Sequence, residues 1–138
     1  MGFELYLDVY KDGEHCGISY QRALDAFEGF ATILEPALWQ VKYDETSSCD
    51  IYVSLAEDDA SEVSSFMVER PCADRRLWES LFAIMRLGNV VLYYPGCSAP
   101  LVASEDVIPH LPHDMIDSLG QPLCIRSGEE IAIRIKSD

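Results

Sequence analysis

The chain has 138 residues and a formal charge of −14, from 24 Asp and Glu against 10 Lys and Arg, over a hydrophobic fraction of 49%. That apolar content supports a core of ordinary size and excludes a disordered acidic tail. The acidity repels nucleic acid and anionic membrane and favours encounter with basic partners, which excludes the nucleic-acid-binding and membrane-surface classes.

In chain order, Met1-Gly2-Phe3-Glu4 carries no apolar run of signal-peptide kind, and Gly2 lacks the Ser or Thr of a myristoylation signal. Phe3, Leu5, Leu7 and Val9 alternate with Glu4, Tyr6, Asp8 and Tyr10, the period of a strand with one buried face. Lys11 to Glu14 turn the chain. Ser19 is an N-cap for a predicted helix that carries Tyr20, Leu24, Phe27 and Ala31 along one side and ends before Pro36. Leu38 to Tyr43 and Asp50 to Leu55 read as a hairpin joined by the polar segment Asp44 to Ser48. After the turn Glu57 to Ser61, a further strand is expected over Glu62 to Arg70, closed by Pro71.

Asp74 caps a predicted helix from Arg75 to Leu87, stopped by Gly88. Its broad apolar set of Leu77, Trp78, Leu81, Phe82, Ile84 and Met85 makes it the main element lying on the sheet, and Glu79 is spaced to pair with Arg75 or Arg76. Val90 to Tyr94 is a continuous apolar run that suits a central strand covered on both faces. The turn Pro95 to Pro100 leads to a short strand at Leu101 to Ala103, a short helix ending at Leu119 before Gly120, and a short strand at Leu123 to Arg126. Ser127-Gly128-Glu129-Glu130 has the form of a capping box, whereas Ile131, Ile133 and Ile135 alternate like a strand; the capping signal is preferred and a final helix is expected. The expected fold is a single α+β domain over residues 1–138, with a mainly antiparallel mixed sheet of about five to seven strands and about three to four helices packed on it.

Five cysteines, Cys16, Cys49, Cys72, Cys97 and Cys124, are scattered, odd in number and without a Cys-x-x-Cys pair. Reduced thiols in a cytoplasm are therefore expected, and no structural zinc site. No stretch approaches the roughly 20 apolar residues of a membrane span. No glycine-rich phosphate loop is present, and no cofactor is implied.

Three groups of residues can carry function. Cys97 follows a central strand in a Pro-Gly-Cys-Ser turn, with His110, His113 and Asp114 downstream, the residue types of a thiolate nucleophile, its base and the base's orienter. His110-x-x-His113-Asp114 also has a metal-like spacing, but Pro112 places His110 outside the helix, so no metal is assigned. Acidic residues Asp44, Glu45 and Asp50, with Glu57, Asp58 and Asp59, cluster around the strand turns without a calcium-loop pattern, and docking of a basic protein asks only for a field. Tyr43 and Tyr52 belong to a set of strand tyrosines; rings on an open sheet face rimmed by carboxylates supply contact area and selectivity for Lys and Arg.

In size, charge and composition the chain is similar to bacterial immunity proteins and other small inhibitors that neutralise a basic toxin or enzyme, a likeness that covers no motif and assigns no residue. The expected function is an acidic protein-interaction or inhibitory module that binds a basic protein through Tyr43, Asp44, Glu45, Asp50, Tyr52, Asp58 and Asp59, without catalysis. The alternative is a small Cys-dependent hydrolase or transferase using Cys97 with His110 or His113.

Overall fold

The computed structural model describes residues 3–138; Met1 and Gly2, with the reading made of the N-terminal glycine, lie outside the described residues. The first strand, β1 (Glu4–Lys11), is followed by two short ones, β2 (Glu14–His15) and β3 (Ile18–Ser19). Next come α1 (Tyr20–Asp25), β4 (Ala31–Glu35), β5 (Leu38–Asp44), β6 (Ser47–Ala56), β7 (Asp59–Glu69), α2 (Arg75–Met85), β8 (Val90–Tyr93) and β9 (Leu101–Val102). A 3-10 helix (Glu105–His110), α3 (His113–Leu119), β10 (Leu123–Cys124) and α4 (Gly128–Ser137) complete the chain.

The ten strands form one mixed sheet in which eight follow the order β10-β9-β8-β1-β7-β6-β5-β4, while β2 adds to β1 and β3 to β7. Among the described residues only β9 and β10 run parallel; β1–β2, β4–β5, β5–β6 and β6–β7 are antiparallel hairpins, and β1–β7, β1–β8, β3–β7 and β8–β9 are antiparallel pairs joined by longer connections.

The α+β class and the antiparallel emphasis are as expected, and the sheet is larger than expected. The main correction lies between Asp25 and Glu35. Ser19 caps α1 through its side chain, which accepts the Arg22 N–H at 3.2 Å, but the helix stops after six residues. Glu28 and Gly29 both take positive φ (52° and 90°), a left-handed pair that no helix can pass through. The chain then doubles back as β4, where Thr32 and Ile33 pair with Gln40 and Trp39, so Ala31 sits in a strand rather than on a helix face. The other elements missing from the sequence reading are β2, β3 and the 3-10 helix. The first hairpin is also tighter than expected, because β5 and β6 run to Asp44 and from Ser47 and leave Glu45-Thr46 as the loop.

Leu5, Leu7 and Val9 of β1, Trp39 and Val41 of β5, Ile51 and Val53 of β6, and Phe66 and Val68 of β7 all point to one face. There α1, α2 and α4 cover them and build the main core with Phe27, Leu77, Leu81, Ile84 and Ile131. A second cluster lies on the opposite face: Tyr10, Val91 and Val102 beneath Val107, Leu111 and the flanking apolar residues of the 3-10 helix and α3. β8 is therefore covered on both sides, as its continuous apolar run predicts. The final segment is a helix, and the Glu130 carboxylate of the expected capping box accepts the Ser127 N–H at 3.2 Å. Among the described residues no helix is long and apolar enough to cross a membrane.

Candidate functional site

The second cluster covers the opposite face only over β8, β9 and the C-terminal half of β1, and the same face lies open over β5, β6, β7 and the start of β1. Alternation decides which side chains stand there: Gln40 and Lys42 from β5, Asp50 and Tyr52 from β6, Met67 and Glu69 from β7, Glu4 and Tyr6 from β1. Strand register then orders them into two rows. Leu38 lies opposite Tyr52, Tyr52 opposite Met67, Met67 opposite Tyr6, and Tyr6 opposite Tyr93, giving an apolar and aromatic row across five strands. The rings of Tyr6 and Tyr93 stack at 5.3 Å, and Tyr52 remains 42% exposed.

Beside it runs Gln40–Asp50–Glu69–Glu4, which brings three carboxylates onto adjacent strands about 4.8 Å apart. Like charges directly opposite one another destabilise a sheet. No ion pair among the described residues relieves this row, since the Arg and His pairs all lie elsewhere. The Tyr52 hydroxyl faces the row, and the nearby Glu69 charge holds its pKa above the usual tyrosine value.

The sequence-derived binding residues divide among four places. Asp50 and Tyr52 stand together on this open face. Tyr43 points to the other side of the sheet, where it is buried, shares a 3.1 Å hydrogen bond with Ser80 of α2, and has its pKa pushed up to about 12 by burial. Asp44 and Glu45 lie at the β5–β6 turn, and Asp44 is already engaged: it caps Thr46, which keeps its carboxyl below the usual range, and it holds Arg76 at 3.0 Å. Asp58 and Asp59 lie at the β6–β7 turn, where Asp59 accepts from the Ser61 N–H at 2.9 Å. The nine steps from Ser47 to Ala56 along β6 separate the two turns by roughly 30 Å. Asp58 lines an acidic cleft of about 620 Å³ with His15, Cys16, Glu57 and Glu62.

No hydrogen bond among the described residues links Cys97 to His110 or His113. His110 Nδ1 accepts the Asp12 N–H at 3.1 Å, and its carbonyl accepts Gly13 N–H at 2.9 Å, so this residue fastens the 3-10 helix to the β1–β2 turn. Cys97 closes a turn onto the Tyr94 carbonyl at 3.1 Å, beside Ser98 and Asp138. His113 and Asp114 are exposed in the first turn of α3. Among the described residues no group of three His, Cys, Asp or Glu is placed to hold a metal ion.

Tyr6 belongs to the strand tyrosines that the sequence offers as a recognition surface, whereas Glu4, Glu69 and Met67 are not among the binding candidates. Their alternation with buried neighbours was legible, but it says only that each points outward. That they share one patch follows from the central position of β1, which pairs with β7 and β8, strands far away in sequence.

No protein-family model, curated protein or solved structure matches the chain.

Proposed function

We propose that the protein is a non-catalytic, acidic interaction module that binds a basic protein partner through the open sheet face over β5, β6, β7 and β1. The observation that carries this reading is the row Glu4–Glu69–Asp50, without ion-pair partners among the described residues, beside Tyr6, Met67 and Tyr52. Lys and Arg side chains relieve the mutual repulsion of the carboxylates, and the rings and the thioether provide contact area at low conformational cost. A sheet face is broad and shallow, which suits a macromolecular surface better than a small ligand, whose sites are concave. The acidic turns Asp44-Glu45 and Glu57-Asp58-Asp59 flank it and steer a basic partner without fixed ligand geometry. An inhibitory role of the immunity type, in a cytoplasm, without nucleic acid or membrane, fits this chemistry.

The test is capture from native cell extract at low and at high salt, using wild type, the face variant Glu4→Gln/Asp50→Asn/Glu69→Gln and the control Glu105→Gln/Asp106→Asn/Asp117→Asn. The control and face variants lose the same charge. A basic protein retained at low salt by wild type and control, released by salt and lost by the face variant, supports the reading. Equal loss with both variants, or no salt-sensitive capture, overturns it.

A further inference from the structure

Cys49 and Cys72 lie 23 positions apart in sequence, and the fold brings them together. Asp50 opposite Glu69 is the last rung of the β6–β7 ladder on that side, so Cys49 continues β6 past the end of β7. The chain leaves β7 through Arg70, whose positive φ of 49° turns it back, and Pro71 then delivers Cys72 to the start of α2. Cys49 and Cys72 stand close enough for each thiol to shift the pKa of the other. They belong to the same core cluster, with Cys49 buried and Cys72 partly open to solvent.

Their surroundings distinguish the two sulfurs. Cys72 lies at the N-terminal end of an eleven-residue helix, and its Cys49 neighbour first, then the Asp74 backbone N–H, draw its thiol pKa down against the effect of burial. Cys49, beside Cys72 and enclosed among β5, β6 and α2, is pushed the other way. Tyr43 and the Asp74 carboxylate also face the pair, and Asp50 lies next to Cys49. Cys72 sits outside any helix or strand, whereas Cys49 is held by β6.

We propose that Cys72 and Cys49 are a thiol–disulfide exchange site, with Cys72 the attacking thiolate and Cys49 the resolving thiol, and with a small disulfide of the glutathione type as the reactant. The Cys72 sulfur attacks one sulfur of the small disulfide; the S–S bond breaks, and one thiolate leaves with the bond's electron pair and takes up a proton. Cys49 gives up its proton to solvent and attacks the Cys72 sulfur of the mixed disulfide, expelling the second small thiolate, which is protonated in turn. The chain ends oxidised by two electrons with a Cys49–Cys72 bond, and two small thiols are released.

The probe is glutathione disulfide, added to the reduced full chain slightly below neutral pH and followed by mass spectrometry and by a peptide map cut after glutamate, which separates the two cysteines unless they are bridged. Wild type is expected to lose two hydrogens and to show one cross-link, Cys49–Cys72. Cys49→Ser is expected to retain one glutathione on Cys72, and Cys72 to react about tenfold or more faster than Cys16, Cys97 or Cys124. Glutathione spread evenly over exposed Cys124 and the others, a mixed disulfide on wild-type Cys72 that never resolves, or a bridge that forms only in denaturant overturns the proposal. The wild-type map decides even if Cys49→Ser does not fold.

Discussion

Asp8 is an acid inside the sheet, 8% exposed, between β7 and β8. A buried carboxylate survives only where donors replace water, and here Tyr93 donates at 2.6 Å and Tyr10 at 3.4 Å to the same oxygen. Burial, then the Asp8 charge, pushes Tyr10 up to about 12; burial and Asp8 likewise raise Tyr93, so both hydroxyls stay protonated and donating. Tyr93→Phe removes the short bond and leaves the charged acceptor under-satisfied, and a loss of about 1–3 kcal/mol is expected in urea unfolding. Asp74 makes the opposite kind of bond, as N-cap of α2 and as partner of Arg76 at 2.8 Å, and the Arg76 hydrogen bonds hold its carboxyl down at about 2. Its folded value lies below its ordinary one, so its contribution is present above about pH 4 and is lost as pH falls toward 2. Asp74→Ala is expected to cost about 1 kcal/mol at neutral pH, and a smaller difference from wild type at pH 2 checks the sign.

At the scale of elements, α4 packs closely on α2. A Cβ placed on Gly128 would lie 2.5 Å from the Trp78 carbonyl oxygen, so the first turn of α4 rests directly on the α2 backbone. A carbonyl cannot rotate away as a flexible side chain can. Gly128→Ala is therefore expected to destabilise by about 1–3 kcal/mol despite alanine's better helix propensity, and a lowered urea midpoint with unchanged slope checks it. Trp78 itself is buried, and Trp78→Ala is expected to cost about 3–5 kcal/mol. The signals of α2 and α4 were legible because their caps are local: Asp74, Ser127 and Glu130 act within one turn. The α1–β4 region was not, because Tyr20, Leu24, Phe27 and Ala31 keep a helical spacing while Glu28-Gly29 breaks the backbone between the third and the fourth. Phe27 still reaches the core, edge-on to Trp39 at 6.1 Å, but from the turn after the helix.

For the whole molecule, strand order sets where charge gathers. Arg76, gripped by Asp44 and Asp74 and lying 5.1 Å from the Tyr43 ring centre, neutralises one acidic turn, while Glu4, Asp50 and Glu69 gather on the open face. If that face is under mutual repulsion, the triple variant Glu4→Gln/Asp50→Asn/Glu69→Gln folds at least as stably as wild type at low salt, and the difference shrinks as salt rises. Thermal unfolding at two ionic strengths measures this. Destabilisation by the variant would assign the carboxylates a structural role instead.

Composition, period and capping residues by themselves determined the α+β class, most of the longer strands, helices α2 and α4, and the acidity that points to basic partners. These signals act within a few residues of chain, where backbone sterics, side-chain alternation and cap hydrogen bonds operate. Tertiary structure alone decided that Asp50 and Tyr52 join Glu4, Glu69 and Tyr6 while Tyr43 turns to the core. It also decided that His110 fastens the β1–β2 turn, and that Cys49 neighbours Cys72. Each of these depends on which distant strands pair and in what register, and a one-residue slip would invert every face. That register follows from burying the apolar rows of β1, β6 and β7 together beneath α1, α2 and α4, a balance over the whole core that no local segment encodes.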